Sequence, residues 1–307
     1  MNFFFFLFLL VFTHLSADDI MLSSKPLEEC FRKINDKIEK SEIQNIDFIY
    51  LINLDKRPER LKSSLEQLSI YNIHPYRFQA VYGIDLSIEE INSLGLTFNP
   101  HIKSRQWVLT PSSKKDLEYD FLRSSFKGKN FFSIFMNRGA IGCALSHLSI
   151  LQDAYDAGYK TIWVLEDDIL VNSDPHKLTE LMNELDTLTG ESGWDILYTD
   201  TDKFKERTDI HEEFWWRPRP DFISLDKSNF SKRSKINKNF IKIASRPGTH
   251  SMVIRRSGMK KILDHIKTHR LFFPYDHEIA FAEEIQLYML RYPFVTKMDS
   301  PSDIQGT

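Results

Sequence analysis

The feature that most constrains this chain is an apolar run that ends in charge: Thr161-Ile162-Trp163-Val164-Leu165 leads straight into Glu166-Asp167-Asp168. A short run of β-branched and aromatic residues suits a buried strand. In open α/β sheets, ligands gather at the carboxyl ends of such strands. Consecutive acids at a strand end repel one another and resist desolvation unless something compensates. A divalent cation does so, because carboxylate oxygens suit Mg²⁺ and Mn²⁺ and leave coordination positions open for phosphate oxygens. Strand alternation puts Glu166 and Asp168 on one face and turns Asp167 away. The other common origin of such a triplet is a helix N-terminus, whose dipole favours anions.

The surrounding pattern supports an α/β class. Phe48 to Ile52 reads as a strand ending in Asn53, Pro58 opens a helix carrying Leu61, Leu65 and Leu68, and a strand-like Tyr76 to Val81 is closed by Gly83. Ile141, Leu145, Leu148 and Tyr155 form a helical stripe that stops at Gly158. Leu178, Leu181, Leu185 and Leu188 mark a further helix, and strands are expected over 194–198 and 250–254. Ser257 is placed to cap a helix bearing Ile262, Leu263 and Ile266. Two stretches lack such order. Residues 86–135 read as a peripheral insertion with no element longer than a turn or two. Residues 199–242, with Trp215, Trp216, Lys232, Arg233, Lys235 and Lys238, read as a loop, either a solvated charged surface or a substrate lid.

At 307 residues with 42% hydrophobic content, the chain can bury a large core. A formal charge of -3, from 40 basic and 43 acidic residues, gives no global basic field, so nucleic acid is not an expected partner. Two cysteines, Cys30 and Cys143, exclude a disulfide framework, and Cys143 in its apolar helix reads as an inert buried thiol. The run from Phe3 to Phe12 resembles the apolar core of a signal peptide. It is either cleaved on export or kept as a membrane anchor, so a secretory or membrane-associated location is expected. The expected division is a signal-like segment over 1–17, an amphipathic helical stem over 18–45 carrying Leu27, Cys30, Phe31, Ile34 and Ile38, and one domain over 46–307.

Several side chains can carry chemistry. Arg57 and Arg60 are neighbours on the start of a helix beside Asn53, and guanidinium forks match pyrophosphate oxygens, although ion pairs with Glu59 or Asp55 would explain them as well. Ser146 and His147 sit together on a helix, where His147 is either a satisfied buried histidine or a ligand contact. His250 ends the Gly248-Thr249-His250 turn and is a candidate phosphate contact or supporting group. Asp276, in Phe273-Pro274-Tyr275-Asp276-His277-Glu278, is either a helix cap or a catalytic carboxylate.

Three ordered blocks bring these residues together: Ile52-Asn53-Leu54-Asp55-Lys56-Arg57-Pro58-Glu59-Arg60, then Arg138-Gly139-Ala140-Ile141-Gly142-Cys143-Ala144-Leu145-Ser146-His147, then Val164-Leu165-Glu166-Asp167-Asp168. Together they resemble the glycosyltransferases of family 25, which include bacterial lipopolysaccharide sugar transferases and collagen hydroxylysine galactosyltransferases. The likeness continues through Trp194 to Tyr198, Gly248-Thr249-His250 and Pro274-Tyr275-Asp276, to Ser302-Asp303-Ile304. The resemblance implies a GT-A-like α/β sheet with an acceptor-binding half, and Mn²⁺ or Mg²⁺ held by Glu166, Asp167 and Asp168. It also implies a nucleotide-sugar donor, UDP-galactose or UDP-glucose, met by Asn53, Arg57 and Arg60, with Ser146, His147 and His250 as the further candidate contacts. The implied acceptor is a glycan, a lipopolysaccharide or a hydroxylysine, and the implied displacement is inverting with Asp276 as base. Two rivals stand beside this: a metal-dependent phosphohydrolase using the same acids, and a noncatalytic carbohydrate-binding or adhesion module on the same fold.

Overall fold

The computed structural model describes residues 24–201, 219–222 and 230–298, apart from 36, 38–40, 103–104 and 114–115. The signal-like segment, Trp215 and Trp216, and Ser302-Asp303-Ile304 lie outside the described residues.

In chain order the strands are β1 (Phe48–Asn53), β2 (Tyr76–Gln79), β3 (Leu96–Thr97), β4 (Trp107–Ser112), β5 (Asp116–Phe121), β6 (Asn130–Ser133) and β7 (Thr161–Glu166). They continue as β8 (Ile169–Val171), β9 (Ile196–Tyr198), β10 (Arg233–Lys235), β11 (Phe240–Ile243), β12 (Ser251–Arg255), β13 (Leu287–Leu290) and β14 (Val295–Lys297). The helices are α1 (Pro58–Ser69), α2 (Ile88–Leu94), α3 (Arg138–Asp156), α4 (Leu178–Thr189), α5 (Arg256–His269) and α6 (Tyr275–Glu278). A mixed eight-stranded sheet runs in the order β10-β11-β13-β9-β12-β7-β1-β2. Strands β2, β1 and β7 are mutually parallel, and β12 then runs antiparallel to β7. The architecture is thus mixed α/β, with apolar clusters on both faces of the sheet.

The register explains where a site can form. Ile52 of β1 pairs with Glu166 of β7, so both strands end side by side. Because β12 is antiparallel, its beginning meets the end of β7: Leu165 pairs with Ser251, and the Glu166 amide donates to His250 O at 2.9 Å. Helix α3 packs beneath this edge. Asn137 caps it by accepting from the Ala140 amide at 2.7 Å, and Gly158, at φ +79°, follows its end.

The close approach of α3 to the end of β2 depends on glycine. A Cβ on Gly142 would fall 2.5 Å from Val81 O and 2.6 Å from Gly83 N, both backbone atoms that cannot step aside. Gly142→Ala is therefore expected to cost about 3 kcal/mol, the upper part of the usual range for overpacking. A denaturant midpoint equal to that of the unaltered chain would refute this.

Four expectations need correction. Among the described residues of 27–38 no α-helix forms: a single 3-10 turn, Leu27–Cys30, leads into an irregular strap over 31–35. Leu27, Cys30 and Phe31 are all buried against the domain, and the amides of Lys25 and Arg32 donate to Ser93 Oγ and Ser149 Oγ rather than along a helix. The stretch 86–135 is likewise ordered. It holds α2, opened by a Ser87/Glu90 capping box, and a four-stranded sheet in the order β3-β6-β4-β5. Ser257 does not cap α5; Arg255 is the N-cap residue, and the Ser257 hydroxyl donates to Asp195 Oδ1 at 2.5 Å. Within 199–242, Arg233, Lys235 and Lys242 belong to an edge hairpin of the main sheet, and Arg219 is sealed in the interior.

Arg219 is held there by Glu278, which it meets in a short ion pair and which also takes His265 Nε2 at 2.7 Å and the Phe273 amide at 2.8 Å. Burial pushes the Glu278 carboxyl up, but the Arg219 charge, His265 and the Phe273 amide outweigh it and bring it to about 2. Its folded value thus lies below its unfolded one, near 4.5. The stability it contributes is complete above about pH 4.5, is lost as pH falls toward 2, and amounts to about 3 kcal/mol. Glu278→Gln should remove that increment at pH 7 and flatten the acid limb of stability against pH. An acid limb of unchanged slope in the variant would count against the assignment.

Candidate active site

A cavity of about 460 Å³ opens at the carboxyl ends of β1 and β7. Its floor is the acidic triplet. The faces divide as strand alternation requires. Asp167 turns away, taking the Asn53 Nδ2 donor at 2.6 Å and lying 3.6 Å from Arg60 Nη1. Burial pushes its carboxyl up to about 6, against the Asn53 hydrogen bond and the Arg60 charge. Glu166 and Asp168 face the other way, toward His250, whose Nδ1 is 3.3 Å from Glu166 Oε2 and 3.4 Å from Asp168 Oδ1.

Neither of the contacts to His250 has hydrogen-bond geometry, so Asp168 Oδ1 and His250 Nδ1 are buried without a hydrogen-bond partner. Burial pulls the His250 imidazole down, but the Glu166 charge and the neighbouring carboxylate oxygens push it up to about 10. Burial likewise pushes Glu166 up, yet the charge of His250 and the contacts from His147 and His250 hold it well below the usual carboxylate range. One donor atom from each of Glu166, Asp168 and His250 lies within 4.8 Å of the others. Two carboxylates and an imidazole with their donor atoms this close together, two of those atoms without a hydrogen bond, fit a divalent cation.

The other expected residues divide between the cavity and its supports. Arg60 lines the cavity, whereas Arg57 is absent from its lining and stands 3.9 Å from Glu59. Asn53 is buried and its amide is engaged: Nδ2 donates to Asp167 and Arg57 O, and Oδ1 accepts from Arg77 Nε at 2.9 Å. It orients Asp167. Ser146 ties α3 to the chain after β2, accepting from the Val81 amide at 2.8 Å and donating to Gly142 O at 2.8 Å. His147 is buried, stacks on Tyr275 at 4.7 Å, and brings Nε2 within 3.3 Å of Glu166 Oε1.

Asp276 lines the cavity and is not a helix cap, since Pro274 occupies the cap position of α6. Its Oδ2 accepts from the Gly248 amide at 2.8 Å and its Oδ1 from the His277 amide at 3.0 Å. Gly248 has φ +80°, a conformation that glycine adopts without strain, so this carboxylate holds the turn that delivers Thr249 and His250.

Two cavity residues escaped the sequence reading, and a third, Cys143, was read only as an inert buried thiol. Thr249 Oγ1 donates to Glu166 Oε1 at 2.7 Å, Lys297 Nζ lies 3.8 Å from Asp168 Oδ2, and Cys143 lines the wall beside His147. Only the Cys143/His147 spacing of one helical turn was visible as a signal; Lys297 arrives from β14, with no local motif.

Residues 46–279 match the family model described as Glycosyltransferase family 25 (LPS biosynthesis protein). The chain belongs to glycosyltransferase family 25. An Aedes aegypti protein named Glycosyltransferase 25 family member is 26% identical over 180 residues, 59% of this chain and 25% of the mosquito protein. Human Procollagen galactosyltransferase 2 is 26% identical over 153 residues, 50% of this chain and 20% of that protein. The human protein named Inactive glycosyltransferase 25 family member 3 is 25% identical over 156 residues, 50% of this chain and 21% of its own length. The chain thus spans about a quarter or less of the curated family 25 relatives described here. Family membership weighs against the phosphohydrolase. The relative named inactive makes the state of the acidic site the question that matters.

Proposed function

We propose that this chain is an active hexosyltransferase of GT-A type, moving galactose or glucose from a UDP-sugar to a hydroxyl of a glycan, lipopolysaccharide or hydroxylysine acceptor with inversion. The observation that carries this reading is the convergence of Glu166, Asp168 and His250, with two orphaned ligand atoms, on the floor of a cavity wide enough for a nucleotide sugar. These three residues would hold Mn²⁺ or Mg²⁺, which supplies charge neutralisation of the departing diphosphate. Arg60 and Lys297 bring fixed positive charge to the same cavity from either side of the triplet. Asn53 and Arg60 keep Asp167 turned back into the protein. Asp276, at the cavity wall, takes the proton of the acceptor hydroxyl. The signal-like run from Phe3 to Phe12 supports a location in the secretory pathway or at a membrane facing the donor pool.

A donor screen on the purified chain, reading nucleotide release with and without Mn²⁺, tests the proposal. Release that requires both metal and acceptor supports it. Absence of release from every UDP-hexose with every acceptor class would instead favour a noncatalytic carbohydrate-binding module.

A narrower result is expected at the nucleotide loop. Arg60→Ala should weaken UDP binding by about 10- to 100-fold, the worth of one charge-assisted hydrogen bond, while Arg57→Ala changes it less. Calorimetric titration of UDP in the presence of Mn²⁺ compares the two, and a larger loss for Arg57 would reverse the assignment.

A further inference from the structure

Beside the acids lies a second donor set, of which the proposed transferase site uses only Glu166. Cys143 and His147 are one turn apart on α3, a spacing that puts both side chains on one face. Both line the cavity, next to Glu166. One donor atom from each of these three residues lies within 4.8 Å of the others. The two oxygens of Glu166 face different neighbours. Oε1 lies 3.3 Å from His147 Nε2, whereas Oε2 lies 3.3 Å from His250 Nδ1. Glu166 therefore stands as a bridging carboxylate between the Asp168/His250 side and the Cys143/His147 side.

The two sides differ in chemistry. Mg²⁺ and Mn²⁺ take oxygen and imidazole ligands, while a set containing sulfur selects a softer ion. Cys143, His147 and Glu166 supply one sulfur, one nitrogen and one oxygen, the three-ligand arrangement in which zinc keeps its fourth position open. All three residues line the cavity, which would give an ion a route of entry. The His147 ring is fixed for this by its stack on Tyr275, with 17° between the ring planes. Cys143 also differs from the other thiol: Cys30 is sealed in the core, whereas Cys143 is half-buried at a cavity wall.

We propose that Cys143, His147 and Glu166 form a second cation site, selective for a thiophilic divalent ion such as Zn²⁺, adjoining the Glu166/Asp168/His250 site and sharing Glu166 with it. On binding, the Cys143 thiol gives its proton to solvent as the sulfur–metal bond forms; His147 binds through Nε2 as a neutral imidazole, and Glu166 through Oε1. No oxidant or reductant is required. The inference rests on the donor geometry and does not depend on which sugar, or whether any sugar, is transferred.

The test is a titration of the full chain with Co²⁺ followed by electronic absorption, then displacement by Zn²⁺. The sequence contains two cysteines, so a thiolate-to-cobalt charge-transfer band has two possible sources. The band is expected in the unaltered chain, in Cys30→Ser and in Asp168→Asn, and is expected to vanish in Cys143→Ser. Zn²⁺ affinity, read by competition with a chromophoric chelator, should fall by roughly 100-fold or more in Cys143→Ser, since even outer-shell partners are worth 10- to 100-fold. His147→Asn provides a second variant that leaves the thiol in place, and it should lower Zn²⁺ affinity in the same way; far-ultraviolet circular dichroism verifies that each variant is folded. Absence of the band, its persistence in Cys143→Ser, or unchanged Zn²⁺ affinity in folded His147→Asn would overturn the proposal. Loss of the band in Asp168→Asn would merge the two sites into one and overturn it equally.

Discussion

Asp168→Ala is expected to lower transfer by roughly 10³-fold while leaving the fold as stable as before. The rate effect follows from the charge stabilisation that a bound cation supplies, several kcal/mol, at tenfold for each 1.4 kcal/mol. The stability expectation is specific to this carboxylate. Asp168 Oδ1 has no hydrogen bond, and Oδ2 has a cation only at 3.8 Å, from Lys297. Removing the side chain therefore gives up its ion pairs with His250, at 3.4 Å, and Lys297, neither of hydrogen-bond geometry, and in exchange relieves its repulsion of Glu166. Asp167 would behave differently, because its carboxylate holds Asn53 and faces Arg60, so its loss leaves the buried Asn53 amide with one of its two acceptors, Arg57 O. The decisive measurements are Mn²⁺ affinity, transfer rate and thermal midpoint on Asp168→Ala. Transfer at the unaltered rate under saturating Mn²⁺ would remove Asp168 from the mechanism. A large drop in midpoint would reassign it to the architecture.

What the sequence disclosed, and what it hid, has a physical pattern. Strands β1 and β7 and helix α3 were legible because each buries a continuous apolar face, so composition and periodicity point the same way, while α1 showed itself by Pro58 at its start and its leucine stripe. The orientation of the triplet was legible too, since Glu166 still lies within β7 and alternation applies to it. The strap over 27–35 misled for the same reason that helices are found. Leu27, Cys30 and Phe31 recur at helical spacing, but all three are needed for packing a 3-10 turn and the strap after it onto the domain. The small sheet of β3 to β6 was missed because its hairpin residues Trp107, Tyr119 and Phe121 stay exposed and dilute the alternation, although Ser87 and Glu90 announced α2. His250 could be ranked as a site residue from its turn, yet its place opposite Glu166 depends on the antiparallel pairing of β12 with β7. Nothing local in a sequence encodes that pairing. Lys297 is the extreme case, brought to Asp168 by the pairing of β14 with β8.

Asp276→Asn is expected to slow an inverting displacement by roughly 10²- to 10⁴-fold, the range for a lost general base. The substitution is nearly isosteric but not silent in the structure. Both Asp276 oxygens accept from backbone amides, Gly248 N at 2.8 Å and His277 N at 3.0 Å. An asparagine has one acceptor oxygen, so one of these amides must face an NH₂ group. If the Gly248 contact fails, the turn carrying Thr249 and His250 loosens, and the first property to change is cation affinity rather than the chemical step. The two roles thus leave different traces. A base that merely happens to hold the turn predicts slow single-turnover transfer that saturating Mn²⁺ does not restore, with UDP affinity preserved. A purely structural carboxylate predicts weakened Mn²⁺ binding and a transfer rate that recovers as Mn²⁺ is raised. Single-turnover rates measured across a Mn²⁺ series on this variant separate them, and full recovery would move the base to another residue of the cavity wall.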